Sequence, residues 1–588
     1  MIQKGCLLRT LFVLTLSVHF AVAQSITLKT IDKLSKERYW SVLLHIKNGK
    51  SEIDDPSFFL TKTDPFSPFD ELNATIKQLV DNNSSMSCKY PARIAWLKKE
   101  LPELFKEQDF VCEELEEKID KEHIQSMTLV FPTAYINSPA SMFGHTFLRL
   151  DKDEKTPLLG EAVNYAAQTE ETNGLIYTYN GLFGGYKGFY SMLPYYKKIE
   201  EYAAMEQRDM WEYTLDLDEE EIRKVLYHLY EMKGVYGDYY FFTKNCSYNL
   251  LWLLESAGGD LYLVEDFSYK AIPIDTIRAL EKRDLIAKTN FRPSKRREIK
   301  SVINQIENVQ IAKKFSDSYD LKLLDDLNDT QKAYTVDLAV ALLKQKRSQK
   351  KINKQNYISH LMKLLKYRSR LPEVNKPPVQ EGVDPLNGHK SARVAVWMDK
   401  DGDVSIIAKP AMHDIYDTSY GYIPGAYIDF FRLDIEKSKF KSFDFVSVHS
   451  YTPMDAFFKP FSWEATIQVE KLAHKDDKNY FSVSLGGGAS WNIMNVLVYA
   501  LMTPQVDVAS DTLASVTLKA GMLYGTKKSS SGILYDKRYF SDGVVRSRGE
   551  IFWTRKIGAN LALNLKFYED KIENKRESNF AVGLFYYF

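Results

Sequence analysis

From about Gly388 to the last residue, apolar side chains recur at every second position, and that period commits the region to β-sheet. Trp463, Ala465, Ile467 and Val469 alternate with Glu464, Thr466 and Gln468, and Val516, Leu518, Ala520 and Met522 alternate with Ser515, Thr517, Lys519 and Gly521. Leu561, Leu563, Leu565 and Phe567 repeat the pattern, and Phe580, Val582, Leu584, Tyr586 and Phe588 close it. Strands of about ten residues, apolar on one face and polar on the other, are what an antiparallel transmembrane β-barrel requires. Counting from Ser391 gives about 10 to 12 of them. A soluble β-sandwich would also alternate. The aromatic content, 13 % with 37 Tyr and 33 Phe, favours the barrel with its interfacial girdles.

The N-terminus agrees with that destination. Lys4 and Arg9 precede an apolar run from Leu11 to Val22, and Ala21-Val22-Ala23 offers a small-residue cleavage site before Gln24. The run is short for a membrane span, so an export signal over residues 1–23 is expected, with an uncleaved anchor as the alternative. The terminal aromatic strand resembles the assembly signal of outer-membrane proteins. Together these features place the chain in the outer membrane of a Gram-negative bacterium, with the β-barrel assembly machinery as a partner during biogenesis.

Between signal and barrel the chain changes character three times. Residues 24–120 read as helical, with apolar residues at helical spacing from Asp32 to Leu44 and from Glu71 to Val80, and no chemistry is visible there. Residues 121–290 mix short strands with helices. Residues 291–384 are helical and basic, dense in Lys and Arg from Lys344 to Arg370, and end in Pro372 and Pro377-Pro378 as a linker would. That segment reads as a solvated spacer, with attraction to anionic lipid headgroups as the other reading. The barrel takes residues 385–588. Lys+Arg and Asp+Glu both number 78, so no net field draws the chain to nucleic acid, and that partner is excluded.

The chemistry centres on Asn245-Cys246-Ser247. Asn245 reads as the N-cap of an apolar helix that Gly258-Gly259 stop. Cys246 then lies in the first turn, where the helix dipole favours thiolate. Cys6 leaves with the signal, so three cysteines remain in an oxidising compartment. Cys88 and Cys112 flank an apparent helix and are expected to pair, which leaves Cys246 free; three unpaired thiols are the alternative. A thiol nucleophile needs a base. His145 opens a strand with Phe147 and Arg149 on its face, and Asn164, on a neighbouring strand, is the candidate to orient the imidazole. The oxyanion would be met by the start of the cysteine helix, with Asn245, Ser141 and Tyr165 as further cleft candidates. Gly181 to Gly188 is expected to be a mobile aromatic loop beside the cleft. His389 and His413-Asp414 fall in the barrel as lumen or loop residues. No His/Cys/Asp/Glu run has zinc-like spacing, so neither metal nor cofactor is expected.

The segment Ser138-Pro139-Ala140-Ser141-Met142-Phe143-Gly144-His145-Thr146-Phe147-Leu148-Arg149-Leu150, with Asn164-Tyr165-Ala166, Gly184-Gly185-Tyr186-Lys187-Gly188 and Asn245-Cys246-Ser247, resembles the DUF4105 family, the periplasmic domain shared with the lipoprotein-acylating Lnb proteins. Phe58-Phe59-Leu60, Cys88 to Arg93 and His413-Asp414 extend the resemblance over most of the chain. It implies an α+β, circularly permuted papain-like (NlpC/P60-like) domain with His145 and Cys246 as the catalytic pair. It also implies acyl transfer on a lipoprotein. The Lnb relatives are anchored by membrane helices, whereas this chain carries barrel-like strands. The expected function is a periplasmic thiol acyltransferase or hydrolase acting on lipid or lipoprotein acyl esters beside outer-membrane lipid. The alternatives are a peptidoglycan endopeptidase and a non-catalytic plug on a barrel.

Overall fold

The computed structural model describes residues 27–81, 85–106, 110–133, 144–153, 155–171, 173–475 and 478–588, the side chains of Gly174 and Leu175 aside. The expected export signal and Ser141 lie outside them. Two compact units result. One takes the described residues up to Phe131 with His145–Ile199 and Glu212–Asn290, and the other takes Glu200–Trp211 and Phe291–Phe588 together with the described residues between Pro132 and Gly144.

The first unit begins with helices. The stretch expected as one helix from Asp32 to Leu44 is two, Leu28–Ser35 and Arg38–Leu43, because Glu37 is extended and caps the second. That break lets Trp40, Val42 and Leu43 all bury. Helices α1 (Pro68–Val80) and α2 (Pro91–Glu100) follow, and Cys88 is disulfide-bonded to Cys112. Buried Glu71 on α1 accepts the N–H groups of Leu60 and Thr61 and pairs with buried Arg93 on α2 at 2.6 Å. A buried cation is tolerated only when matched in this way.

A seven-stranded sheet organises the α+β part. In chain order its strands are β1 (Ser126–Pro132), β2 (Phe147–Asp151), β3 (Glu161–Ala167), β4 (Tyr186–Pro194), β5 (Met210–Leu215), β6 (Tyr236–Tyr239) and β7 (Ile286–Arg292), and across the sheet they run β6-β4-β3-β2-β1-β5-β7. Every residue of β2 is buried, and its Arg149 pairs with Asp151 at 2.7 Å and Glu212 at 2.8 Å. Helices α3 (Gly174–Phe183), α4 (Glu219–Glu231) and α5 (Cys246–Glu255) accompany it. The expected glycine-rich loop is therefore a correction: Gly181 ends up inside α3, and Gly188 inside β4. A β-carbon on Gly181 would lie 2.2 Å from the Phe241 ring, and Gly184 turns the chain at φ +76°. These glycines serve close packing and a turn.

In the second unit, twelve strands from Arg393–Asp399 to Lys575–Tyr587 form an antiparallel ladder that closes. The first strand pairs with the last, Arg393 opposite Tyr587, and also with Val404–Lys409, which pairs onward with Ala426–Glu436. Val582, Leu584, Tyr586 and Phe588 point outward, while Asn579, Ala581, Phe585 and Tyr587 are enclosed. The lumen is charged: Glu464 meets Lys519 at 2.6 Å, and Arg538 meets Asp507 at 2.6 Å. A wall that is apolar outside and charged inside is built for lipid, not for a soluble sandwich. Residues 414–425 fold into the lumen at the end where the chain enters. There Arg393 pairs with Asp414 at 2.6 Å and with Asp417, Lys409 pairs with Asp417, and Tyr416 donates to Glu550 at 2.7 Å.

Helices α6 (Lys295–Ile303), α7 (Val309–Ser318), α8 (Asp329–Ser348) and α9 (Lys354–Arg368) precede the barrel as a folded bundle around Phe315, Val336, Leu343 and Leu364. The bundle contacts the loop between barrel strands Lys439–Ser450 and Ser462–Lys471. Phe457 and Phe458 pack against Ile299, Leu338 and Leu342, and the Arg296 guanidinium lies 4.9 Å over the Phe458 ring.

Candidate thiol site

Cys246 begins α5. Asn245 is its N-cap, accepting the N–H groups of Ser247 at 3.1 Å and Tyr248 at 3.2 Å, an arrangement worth about 1 kcal/mol to a helix. The Asn245 amide donates to the Phe241 and Ala271 carbonyls, so both ends of this side chain hold the turn that presents the cysteine. Glu52 grips the helix flank, accepting from the Tyr248 hydroxyl at 2.6 Å and the Trp252 indole at 2.8 Å. The helical region thus steadies the cysteine helix, a role its sequence did not advertise.

Cys246 is free and buried. Burial pushes its thiol up, and the backbone N–H groups of Thr146 and Ser247 and the Tyr239 hydroxyl pull against that shift without overcoming it. The expected resting thiolate is therefore replaced by a thiol, because the loss of water around sulfur outweighs the donors at the helix start. A base has to remove the proton.

The sheet register brings His145 forward. Leu148 pairs with Val163, so continuing the ladder sets Asn164 across from Phe147 and makes His145 its diagonal neighbour on the same face. Gly144, at φ +94°, makes the turn into this edge. The half-buried His145 ring comes within 2.6 Å, Nε2 to Asn164 Oδ1. A carbonyl oxygen only accepts, so Nε2 carries the hydrogen and Nδ1 of a neutral ring keeps its lone pair. Thr146, the next residue, turns its N–H to the sulfur.

Tyr239 was not singled out from sequence. Its hydroxyl accepts the Cys246 N–H at 3.3 Å, and it is buried with its acidity suppressed mainly by burial and by the adjacent cysteine. A proton that stays on oxygen can be donated to a developing negative charge. Tyr165 instead stacks on Tyr239 and directs its hydroxyl to the Gly237 carbonyl at 3.4 Å. The apolar face of α3 lies close by: Ile176, Tyr179 and Phe183 are exposed along one stripe, and the Gly181 carbonyl accepts the Phe241 N–H at 2.8 Å.

In the barrel, His389, His413 and Asp417 set ligand atoms within 4.8 Å of one another. The Asp417 carboxylate is already neutralised by Arg393 and Lys409, and two cations in contact with it oppose a third. This cluster is an anchor for the segment inside the lumen.

Residues 114–283 match the family model of the Lnb N-terminal periplasmic domain. Residues 32–100, 289–379 and 382–587 match three domains of unknown function, DUF7843, DUF7842 and DUF7840. No curated protein matches the chain. Among solved structures, the KdgM porin is 13 % identical over 34 % of this chain and 99 % of its own, with a TM-score of 0.23. The NanC porin is 6 % identical over 33 % and 99 %, at 0.24, and OmpT of Vibrio cholerae is 9 % identical over 34 % and 96 %, at 0.20. At such scores these likenesses carry no argument, and the barrel stands on its own closed ladder. The chain joins a segment similar to the Lnb N-terminal periplasmic domain, over residues 114–283, to a closed twelve-stranded antiparallel β-barrel of the outer-membrane kind.

Proposed function

We propose that residues 114–283 house a thiol acyl-transfer site in which Cys246 is the nucleophile, His145 the base and Asn164 the residue that orients it. One observation carries the reading: His145 is locked through Nε2 by Asn164 while its chain neighbour Thr146 faces the Cys246 sulfur. In the proposed cycle, Nδ1 of His145 takes the thiol proton as sulfur attacks an ester carbonyl. The oxygen that gains charge replaces the contact between the Cys246 N–H and the Tyr239 hydroxyl and is met by both as donors. Collapse breaks the ester bond, the leaving alkoxide takes the proton from His145, and a thioester remains on Cys246. Water or an amine then attacks that thioester, gives its proton to His145, and releases the acyl group while the proton returns to sulfur.

An acyl ester of a lipid or lipoprotein is the substrate class we favour. The exposed apolar stripe of α3 is joined to the site through Phe241 and Tyr239, whose rings lie 6.2 Å apart. The same chain carries a barrel with an apolar outer wall, which favours a lipid substrate. A permuted papain-like ancestry fits the histidine-before-cysteine order. The test is a direct comparison of substrates: detergent-solubilised full chain should release or transfer acyl groups from a diacylated lipopeptide. Cleavage of purified peptidoglycan with no action on the lipopeptide would contradict the proposal.

A further inference from the structure

Helix α9 presents two apolar faces. Tyr357, Leu361 and Leu364 pack against the bundle core, which accounts for the first. Ile358, Met362 and Leu365 form the second, at spacing i, i+4 and i+7, and are exposed at 46, 63 and 45 %. Helical geometry turns this stripe about a quarter of a revolution away from the core-facing side and sets Lys354 and Lys366 along its two borders.

The stretch of chain that carries the stripe is basic, with Asp337 at its edge paired to Arg368 at 2.8 Å. Between Leu338 and Pro372 there are ten Lys and Arg and no Asp or Glu, in a chain whose net charge is zero. Solvated helices ordinarily mix signs, so a purely basic stretch flanking an apolar stripe is the pattern of a helix that lies in a membrane interface. The stripe offers no aromatic ring for stacking a base, which argues against a polyanion in water. Its position completes the case. The bundle is fixed to a barrel loop through Phe457, Phe458 and Arg296, at the end of the barrel where the chain enters.

We propose that α9 docks on the phospholipid leaflet around that end of the barrel, with Ile358, Met362 and Leu365 among acyl chains and Lys354 and Lys366 on anionic headgroups. The occupant is an anionic phospholipid surface. Docking there would brace the bundle against the membrane that the barrel spans, and it does not depend on the acyl-transfer reading.

The test uses the full chain carrying Cys6→Ser, with a nitroxide at Met362→Cys or, as control, at Ser359→Cys; Cys246 is buried and Cys88 and Cys112 are bonded, so the new thiol takes the label. The protein is reconstituted in phosphatidylethanolamine–phosphatidylglycerol bilayers and in phosphatidylcholine bilayers. In the anionic bilayer, the label at 362 should relax with dissolved oxygen and resist a water-soluble nickel chelate, while the label at 359 does the reverse. Lys354→Gln and Lys366→Gln should each lower the docked-to-undocked ratio about fivefold. Equal nickel access at 362 and 359, or the same protection in both bilayers, overturns the proposal. Protection that grows with the protein-to-lipid ratio assigns the face to a second copy instead.

Discussion

His145 and Asn164 share one hydrogen bond, Nε2 to Oδ1 at 2.6 Å, and its direction decides which nitrogen of the ring can act as a base. The bond leaves Nδ1 as the acceptor on a ring whose chain neighbour Thr146 already touches the cysteine. Removing the carbonyl frees the ring to rotate and to exchange its hydrogen between nitrogens. Asn164→Ala should therefore lower kcat/KM about 100-fold on an acyl ester while the circular dichroism spectrum stays that of the parent. An unchanged rate would show that the imidazole is held by something else.

In the proposed cycle Tyr239 meets the oxyanion. Its hydroxyl accepts the Cys246 N–H, 3.3 Å from nitrogen to oxygen, and an arriving oxyanion would take both donors in place of that contact. Tyr239→Phe keeps the ring and its stacking on Tyr165. It should cost about 10²-fold in kcat with little change in KM, the signature of an interaction made only in the transition state.

The first unit should loosen in mild acid. His45 and His228 are buried against each other, Nε2 to Nε2 at 2.9 Å, and burial holds His228 down at about 3. A histidine depressed below its unfolded value of about 6.5 gives its stability above that value and loses it as pH falls toward the folded one. Between pH 7 and pH 5 the loss from His228 alone is about 2 kcal/mol. Thermal unfolding followed by tryptophan fluorescence should show a lower Tm at pH 5, and His45→Phe/His228→Leu should flatten that dependence.

The lumen should be closed to ions. Residues 414–425 are held inside it by Arg393 on Asp414 and by Arg393 and Lys409 on Asp417. Parent protein in a planar bilayer should give little conductance. Asp414→Asn/Asp417→Asn strips buried Arg393 of both carboxylates and leaves Lys409 only Asp429, and open-channel steps should appear. Stable pore-sized conductance from the parent would contradict a fixed plug.

Much of this was legible in the sequence, for reasons that can be traced to particular residues. The alternation from Trp463 to Phe588 reports the barrel because one face meets lipid and the other does not. Asn164 could be picked because Ala162 to Ala166 reads as the strand beside the one His145 opens, while its place on the His145 and Phe147 face follows only from the register of the sheet. Tyr239 was hidden: it is one of 37 tyrosines, and only the turn through Asn245 brings its hydroxyl to Cys246. The thiolate expectation counted the helix dipole and omitted desolvation, which no local pattern around Cys246 measures. Gly181 and Gly188 suggested a loop because glycine's usual role is conformational, whereas here close contact with Phe241 and Tyr165 sets their identity. Asp414 and Asp417 belong by composition to a solvated loop, and their cations, Arg393 and Lys409, lie on other segments of the chain.

The central claim is that Cys246 forms a thioester with an acyl group by means of His145. Intact mass and peptide mapping after incubation with a lipid-ester activity probe test it most directly. The account predicts one acyl adduct on the peptide bearing Cys246, sensitive to neutral hydroxylamine and absent in His145→Ala. An unlabelled Cys246 under turnover conditions, or labelling that persists undiminished in His145→Ala, would contradict it.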